Sequence, residues 1–171
     1  GLRVLLRPLI PKDRDALVAL FANLPPDETQ FFRSNINDPE VVGGWAEHPD
    51  YMKVFPLVAV VADHIVGNST LHLGKGCTRH TAEIRLFLSR EFRRRGIGSA
   101  LIRGQLEIAR KLGLHQVIAE VVENRPQVIH AFERLGFERQ FAWRDLFMTA
   151  EGETLDMIVL VNFLKRSGDV F

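Results

Sequence analysis

A chain of 171 residues, 46% hydrophobic and 25% charged, can bury a core without disulfides or metals. Its formal net charge of +1 excludes a global field that would draw it to nucleic acid or to a membrane surface. One cysteine, Cys77, excludes an internal disulfide and fits a reducing cytoplasm, and no apolar run approaches the ~18 residues of a membrane span. The opening Gly1-Leu2-Arg3-Val4 has no basic-then-apolar leader pattern, and its lack of Met is compatible with a stretch of a longer protein.

Residues 2–6 suit a first strand, ending at Arg7-Pro8. Pro11 and Asp13 then open an amphipathic helix through Leu17, Leu20, Phe21 and Leu24, which Pro25-Pro26-Asp27 breaks. Residues 28–51 read as short helices and loops. Residues 56–62 and 65–73 form a hairpin about a turn at Asp63-His64, and Gly74-Lys75-Gly76 marks a loop. Residues 81–88 are the next strand, with Ala82, Ile84, Leu86 and Leu88 on one face and Glu83, Arg85 and Phe87 on the other.

Residues 98–112 are helical through Leu101, Ile102, Leu106, Ile108 and Ala109, and Gly113 stops them. A buried strand at 116–122 and a helix at 126–135 follow, the latter closed by Gly136. Residues 137–147 and 154–161 pair antiparallel about Glu151-Gly152. No repeat, low-complexity tract or linker divides the chain, so one domain over residues 1–171 is expected. The order implies a mixed α/β sheet of about seven strands with helices on both faces.

Chemistry concentrates in Leu86-Phe87-Leu88-Ser89-Arg90-Glu91-Phe92-Arg93-Arg94-Arg95-Gly96-Ile97-Gly98-Ser99. A strand runs into a basic, glycine-containing turn and a helix begins at once. Helix N-termini hold anions through unpaired amides and partial positive charge. Gly96 and Gly98 let a phosphate approach the backbone, and the arginines supply charge-assisted donors. A Rossmann fingerprint would need a third glycine where Leu101 stands, and no Walker A lysine is present.

What remains is R-x-x-G-x-G, carried by Arg93, Gly96 and Gly98, followed downstream by Asn124 and by Glu133-Arg134-Leu135-Gly136-Phe137. This pattern resembles the GCN5-related N-acetyltransferases (GNAT). The resemblance spans residues 82–137 and implies a mostly antiparallel GNAT sheet with acetyl-CoA as co-substrate. Acetyl-CoA would lie along Leu86, Phe87 and Leu88 and around the turn Arg93, Arg94, Arg95, Gly96, Ile97, Gly98 and Ser99, with Asn124 and Phe132 completing its site. Asn124 reads as a helix N-cap, a pantetheine contact, or both.

The Ala82-Glu83-Ile84 context, Arg7-Pro8 with Pro11 and Asp13, and Phe31-Phe32-Arg33 resemble the bacterial protein-lysine acetyltransferases that modify acyl-CoA synthetases. This implies Glu83 as general base, since an amine with a pKa of about 10.4 must lose a proton before it attacks. A protein lysine is the first acceptor implied, a small amine the second, and a non-catalytic acyl-CoA sensor is the rival from another class. The departure from the family is Phe132, which stands where many members carry a Tyr that protonates the leaving thiolate. His130 would point to another side of that helix. His64, His72, His80 and Cys77 match no compact metal-ligand spacing, so no metal is expected. Trp45, Phe31 and Phe32 read as packing residues, and Cys77 as a loop thiol with no nucleophile motif. Oligomeric state is not legible.

Overall fold

The computed structural model describes residues 1–165; the last six residues of the expected domain lie outside them. Seven strands form one sheet: β1 (Leu5–Pro8), β2 (Val54–Val61), β3 (His64–Leu73), β4 (Thr81–Leu88), β5 (Gln116–Val122), β6 (Glu138–Met148) and β7 (Thr154–Phe163). Their spatial order is β1-β2-β3-β4-β5-β7-β6. Every neighbouring pair is antiparallel except β4–β5. The mixed sheet expected from the element order, and its mostly antiparallel pairing expected from the resemblance, are the ones observed, with β7 inserted between β5 and β6.

Five helices cover it: α1 (Arg14–Phe21), α2 (Pro26–Thr29), α3 (Pro39–Glu47), α4 (Ile97–Lys111) and α5 (Pro126–Arg134). The alternation of β4 sorts its side chains as expected. Ala82 and Ile84 pack with Ile102, Leu106 and Ala109 of α4 and Ile129 of α5 on one face. Phe87 packs with Phe21 of α1 and Val42 of α3 on the other. Each fully buried Leu, Ile or Phe contributes about 1.5–3 kcal/mol of transfer free energy. Gln105 sits in the buried stripe of α4, where an apolar residue would be the ordinary choice. Its amide nitrogen donates to the Phe55 and Ser69 carbonyls, each at 3.0 Å, and so ties α4 to β2 and β3.

Several boundaries differ from the sequence reading. α1 stops at Phe21 after a single 3-10 turn at Pro11–Asp13, leaving Leu24 outside it. Pro26 starts the one-turn α2 rather than ending structure, because proline's fixed φ suits a first helical position. The β2–β3 turn uses Ala62 and Asp63, at φ 46° and 64°, one residue earlier than expected. Gly76–Thr78 form a further 3-10 turn. No described helix is long and apolar enough to cross a membrane.

Candidate active site

β4 and β5 pair from Thr81↔Gln116 to Ile84↔Ala119, where the pairing stops. β4 nevertheless continues to Leu88 and β5 to Val122, so the two strands diverge into a V. A cleft of about 1430 Å³ runs through this opening. Leu86, Phe87 and Leu88 line one arm and Val121 and Val122 the other.

The turn after β4 forms one end. Ser89 N–H donates to the Val66 carbonyl at 2.8 Å, a 3-10 turn follows at Arg90–Phe92, and Arg94 and Gly96 both adopt positive φ, 61° and 79°. Gly96 is the N-cap of α4, with no side chain capping it, and the helix's first backbone bond runs from Ala100 N–H to the Gly96 carbonyl. The amides of Ile97, Gly98 and Ser99 therefore lack an intrahelical acceptor. Gly96, Gly98, Ser99 and Arg94 line the cleft, while the Ile97 side chain is buried and anchors the turn to the core. An anion placed here meets amides and the positive helix end together.

The arginines are deployed differently from the expectation. Arg93 forks the buried Glu28 carboxylate at 2.9 and 2.7 Å, and its Nε donates to the Leu88 carbonyl at 3.0 Å. Arg90 donates to Glu28 at 3.1 and 2.8 Å and to Asp27 at 2.9 Å. Hydrogen bonds from Arg93 hold the Glu28 carboxyl below the usual carboxylate range, against the opposing effect of its burial. The guanidiniums of Arg93 and Arg90 thus brace the turn at the cleft wall, with their donors committed to Glu28, Asp27 and the Leu88 carbonyl. Arg95 lies over the Phe92 ring at 5.5 Å and does not line the cleft, whereas Arg90, Arg93 and Arg94 do, with the Arg94 guanidinium outside the Glu28 cluster.

The other end is built by side chains from many elements. Glu83 borders it, accepting from Arg85 Nε at 3.1 Å and Nη2 at 3.4 Å. His72 lies opposite Glu83 in the β3–β4 register. Burial, and then Arg85, push the His72 imidazole below its ordinary range, while Glu83 acts the other way. Arg33 donates to Glu120 of β5 at 2.7 Å, and Phe31 meets Phe147 of β6 edge-on at 5.5 Å. Trp45 and Phe32 pack around Phe21, as expected of core residues, and also face the cleft.

Residues 18–137 match the model of the acetyltransferase (GNAT) family. The chain belongs to that family. As a GNAT member it is an acetyl-CoA-dependent N-acetyltransferase, with acetyl-CoA as co-substrate. Solved structures share the GNAT fold at low identity. A GNAT acetyltransferase from Streptococcus pneumoniae superposes with TM-score 0.80 at 18% identity, covering 95% of this chain and 100% of that one. A ribosomal-protein-alanine N-acetyltransferase from Brucella melitensis gives 0.80 at 23%, covering 94% and 99%. The yncA acetyltransferase from Salmonella typhimurium, solved with acetyl-CoA, gives 0.81 at 16%, covering 96% of each chain. No curated protein matches the chain by sequence.

Within this GNAT site Phe132 is buried, lines the cleft and stacks edge-on against Phe137 at 4.9 Å. His130 points away and pairs with Glu133 at 3.3 Å. Asn124 is exposed and one residue too early to cap α5. Arg125 is the N-cap, because Pro126 holds the first helical position. No group of three or more metal-ligating side chains assembles among the described residues. Sequence reasoning missed Glu28, Arg33–Glu120 and the cleft-lining role of His72. The Phe31-Phe32-Arg33 run, within the 28–51 stretch, pointed toward one of them.

Proposed function

We propose that the chain, acting as one domain in the cytoplasm, transfers the acetyl group of acetyl-CoA to a primary amine, and that this amine is a protein lysine. The observation that carries the reading is a single cleft joining the uncapped α4 N-terminus to Glu83 through the β4–β5 opening. The CoA phosphates would sit on the amides of Ile97, Gly98 and Ser99. The pantetheine arm, itself carrying amides, would lie along the unpaired edge of β4 beyond Ile84 and complete the ladder there. A backbone amide of residues 86–88 would meet the thioester oxygen and stabilise the developing oxyanion. The protein-lysine assignment rests on the Ala82-Glu83-Ile84 resemblance.

Transfer is direct. The amine loses a proton toward Glu83, directly or through a water, and its lone pair attacks the thioester carbon. The tetrahedral adduct then collapses with release of the CoA thiolate, whose thiol pKa of about 8.5 lets it leave without a strong acid. Cys77 is exposed and outside the cleft, which disfavours an acyl-cysteine intermediate. Phe132 favours one second reading, an acyl-CoA sensor, because the phenol that would serve as acid is missing.

CoA release from acetyl-CoA is the test, with wild type and Glu83→Gln against lysine peptides, an acyl-CoA synthetase and a panel of small amines. Turnover on protein lysines that drops by about 10²–10⁴ in Glu83→Gln supports the reading. Turnover confined to small amines removes the lysine assignment. Tight CoA binding without release on any acceptor selects the sensor.

A further inference from the structure

The floor of the acceptor end is a polar ladder across two strands. Asn68, Thr70 and His72 of β3 all line the cleft, opposite Phe87, Arg85 and Glu83 of β4 in register. Directly opposed residues hold their Cβ atoms about 5 Å apart, so His72 and Glu83 are side-by-side neighbours. The half-buried His72 has Nε2 2.9 Å from Thr70 Oγ1. Glu83 has both oxygens turned to Arg85. At the inner end Asn68 is 7% exposed, and its Oδ1 is buried with no hydrogen-bond partner among the described residues. A buried acceptor left unpaired is costly, and such an atom on a cleft floor marks a place that a ligand completes.

We infer that His72 takes the proton of the acceptor amine, with Thr70 fixing the imidazole and Glu83 stabilising the imidazolium that forms. The inference rests on the N-acetyltransferase reading and puts a side chain where that reading allows a water. In the tautomer this scheme requires, Nε2–H donates to Thr70 Oγ1 and the lone pair is on Nδ1. The acceptor ammonium gives one proton to Nδ1, and the freed nitrogen pair forms the C–N bond to the thioester carbon. The C–S pair departs with sulfur. The second nitrogen proton of the adduct passes to the thiolate, giving the amide and CoA thiol, and the imidazolium returns its proton to solvent. Thr70 is a positioning residue in this scheme.

The surroundings suit the task. From β4, Glu83 and Arg85 face the imidazole with opposing effects on its charge. Its register neighbour on β2 is the uncharged Val54. Lys53 and Asp50 before β2 and His48 after α3 line the same cleft. The depressed imidazole is neutral near pH 7 and able to accept a proton.

The experiment is the pH profile of kcat/KM for an amine acceptor in wild type and in His72→Gln, Thr70→Val, Arg85→Gln and Glu83→Gln. Acetyl-CoA affinity is measured for each by calorimetry. Wild type should fall on the acid side with an apparent pKa below the ordinary histidine value of about 6.5. His72→Gln should lose about 10²–10⁴ at pH 7 with acetyl-CoA affinity kept. Its rate should then rise tenfold per pH unit, following the free amine. Arg85→Gln should move the wild-type limb to higher pH, Glu83→Gln to lower pH, and Thr70→Val should lower kcat without abolishing the limb. A limb that persists in His72→Gln, or that stays fixed in both Arg85→Gln and Glu83→Gln, overturns the inference alone. Absence of wild-type turnover on every amine overturns it together with the reading beneath it.

Discussion

The two ends of the cleft are made of different material. At the end proposed for the phosphates the contacts offered are backbone amides of Ile97, Gly98 and Ser99, shaped by positive φ at Arg94 and Gly96 and braced by the Arg93–Glu28 pair. At the end proposed for the acceptor they are side chains: Arg33, Trp45, His72, Glu83, Glu120 and Phe147. A backbone site is made by a few consecutive residues, and almost any side chain that permits the turn will serve. A side-chain site exists only once distant elements have packed, and each member can change separately. On the proposed function, this division would place stability in one end and selectivity in the other.

The sharpest way to break that division is Arg93→Met. Removing the fork leaves the buried Glu28 carboxylate with Arg90, at a cost of about 3 kcal/mol. Thermal unfolding should show a Tm lower by on the order of 10 °C. Unchanged stability with weakened acetyl-CoA binding would instead make Arg93 a phosphate ligand and erase the difference between the two ends. Next is Gly98→Glu, which adds an anion beside the open amides. Calorimetry should show acetyl-CoA affinity reduced by about 100-fold, or about 2.7 kcal/mol. An unaffected affinity would move the phosphates elsewhere.

Acid sharpens the comparison from the stability side. The Glu28 carboxyl is lowered in the fold, so its contribution is full above the unfolded value of about 4.3 and is lost as pH falls through the lower folded value. Asp13, lowered by its bond from Arg7, acts with the same sign. Denaturant unfolding between pH 5 and pH 3 should show falling stability, with a shallower fall in Glu28→Gln; parallel slopes would remove Glu28 from the account. The smallest effect is expected from Arg33→Met. Its partly exposed pair with Glu120 contributes less than about 1 kcal/mol to stability. Acceptor KM should change a few-fold while acetyl-CoA affinity holds, and an equal change in both would show that the two ends are coupled.

This contrast also explains what could be read from the chain. The faces of β4 follow from alternation, and the turn at Gly96 and Gly98 follows from glycine's access to positive φ next to a helix start. Both are local. Glu28 lies 65 residues before Arg93, in a stretch without periodicity, so a count of basic residues reads a free charge where the fold has made an ion pair. His72 was visible only as a possible metal ligand, because its meaning depends on the register that sets it against Glu83. The Asn124 cap was a local misreading: proline at the first helical position already assigns the cap to Arg125. Ala62 at φ 46° is unusual for its residue type, and the turn rules accordingly pointed one residue on.

β7 is the last of the described strands yet lies between β5 and β6 in the sheet. It pairs with β5 from Gln116↔Phe163 to Val122↔Met157 and is the strand that joins β6 to the rest. During synthesis, therefore, β5 waits with a bare edge, and β6 emerges without its strand partner, until residues 154–163 follow. A bare edge is a template for other chains. A ribosome stalled before residue 154 would hold out a sheet half assembled and ready to pair with its neighbour, and the final ten-residue strand is what ends that interval.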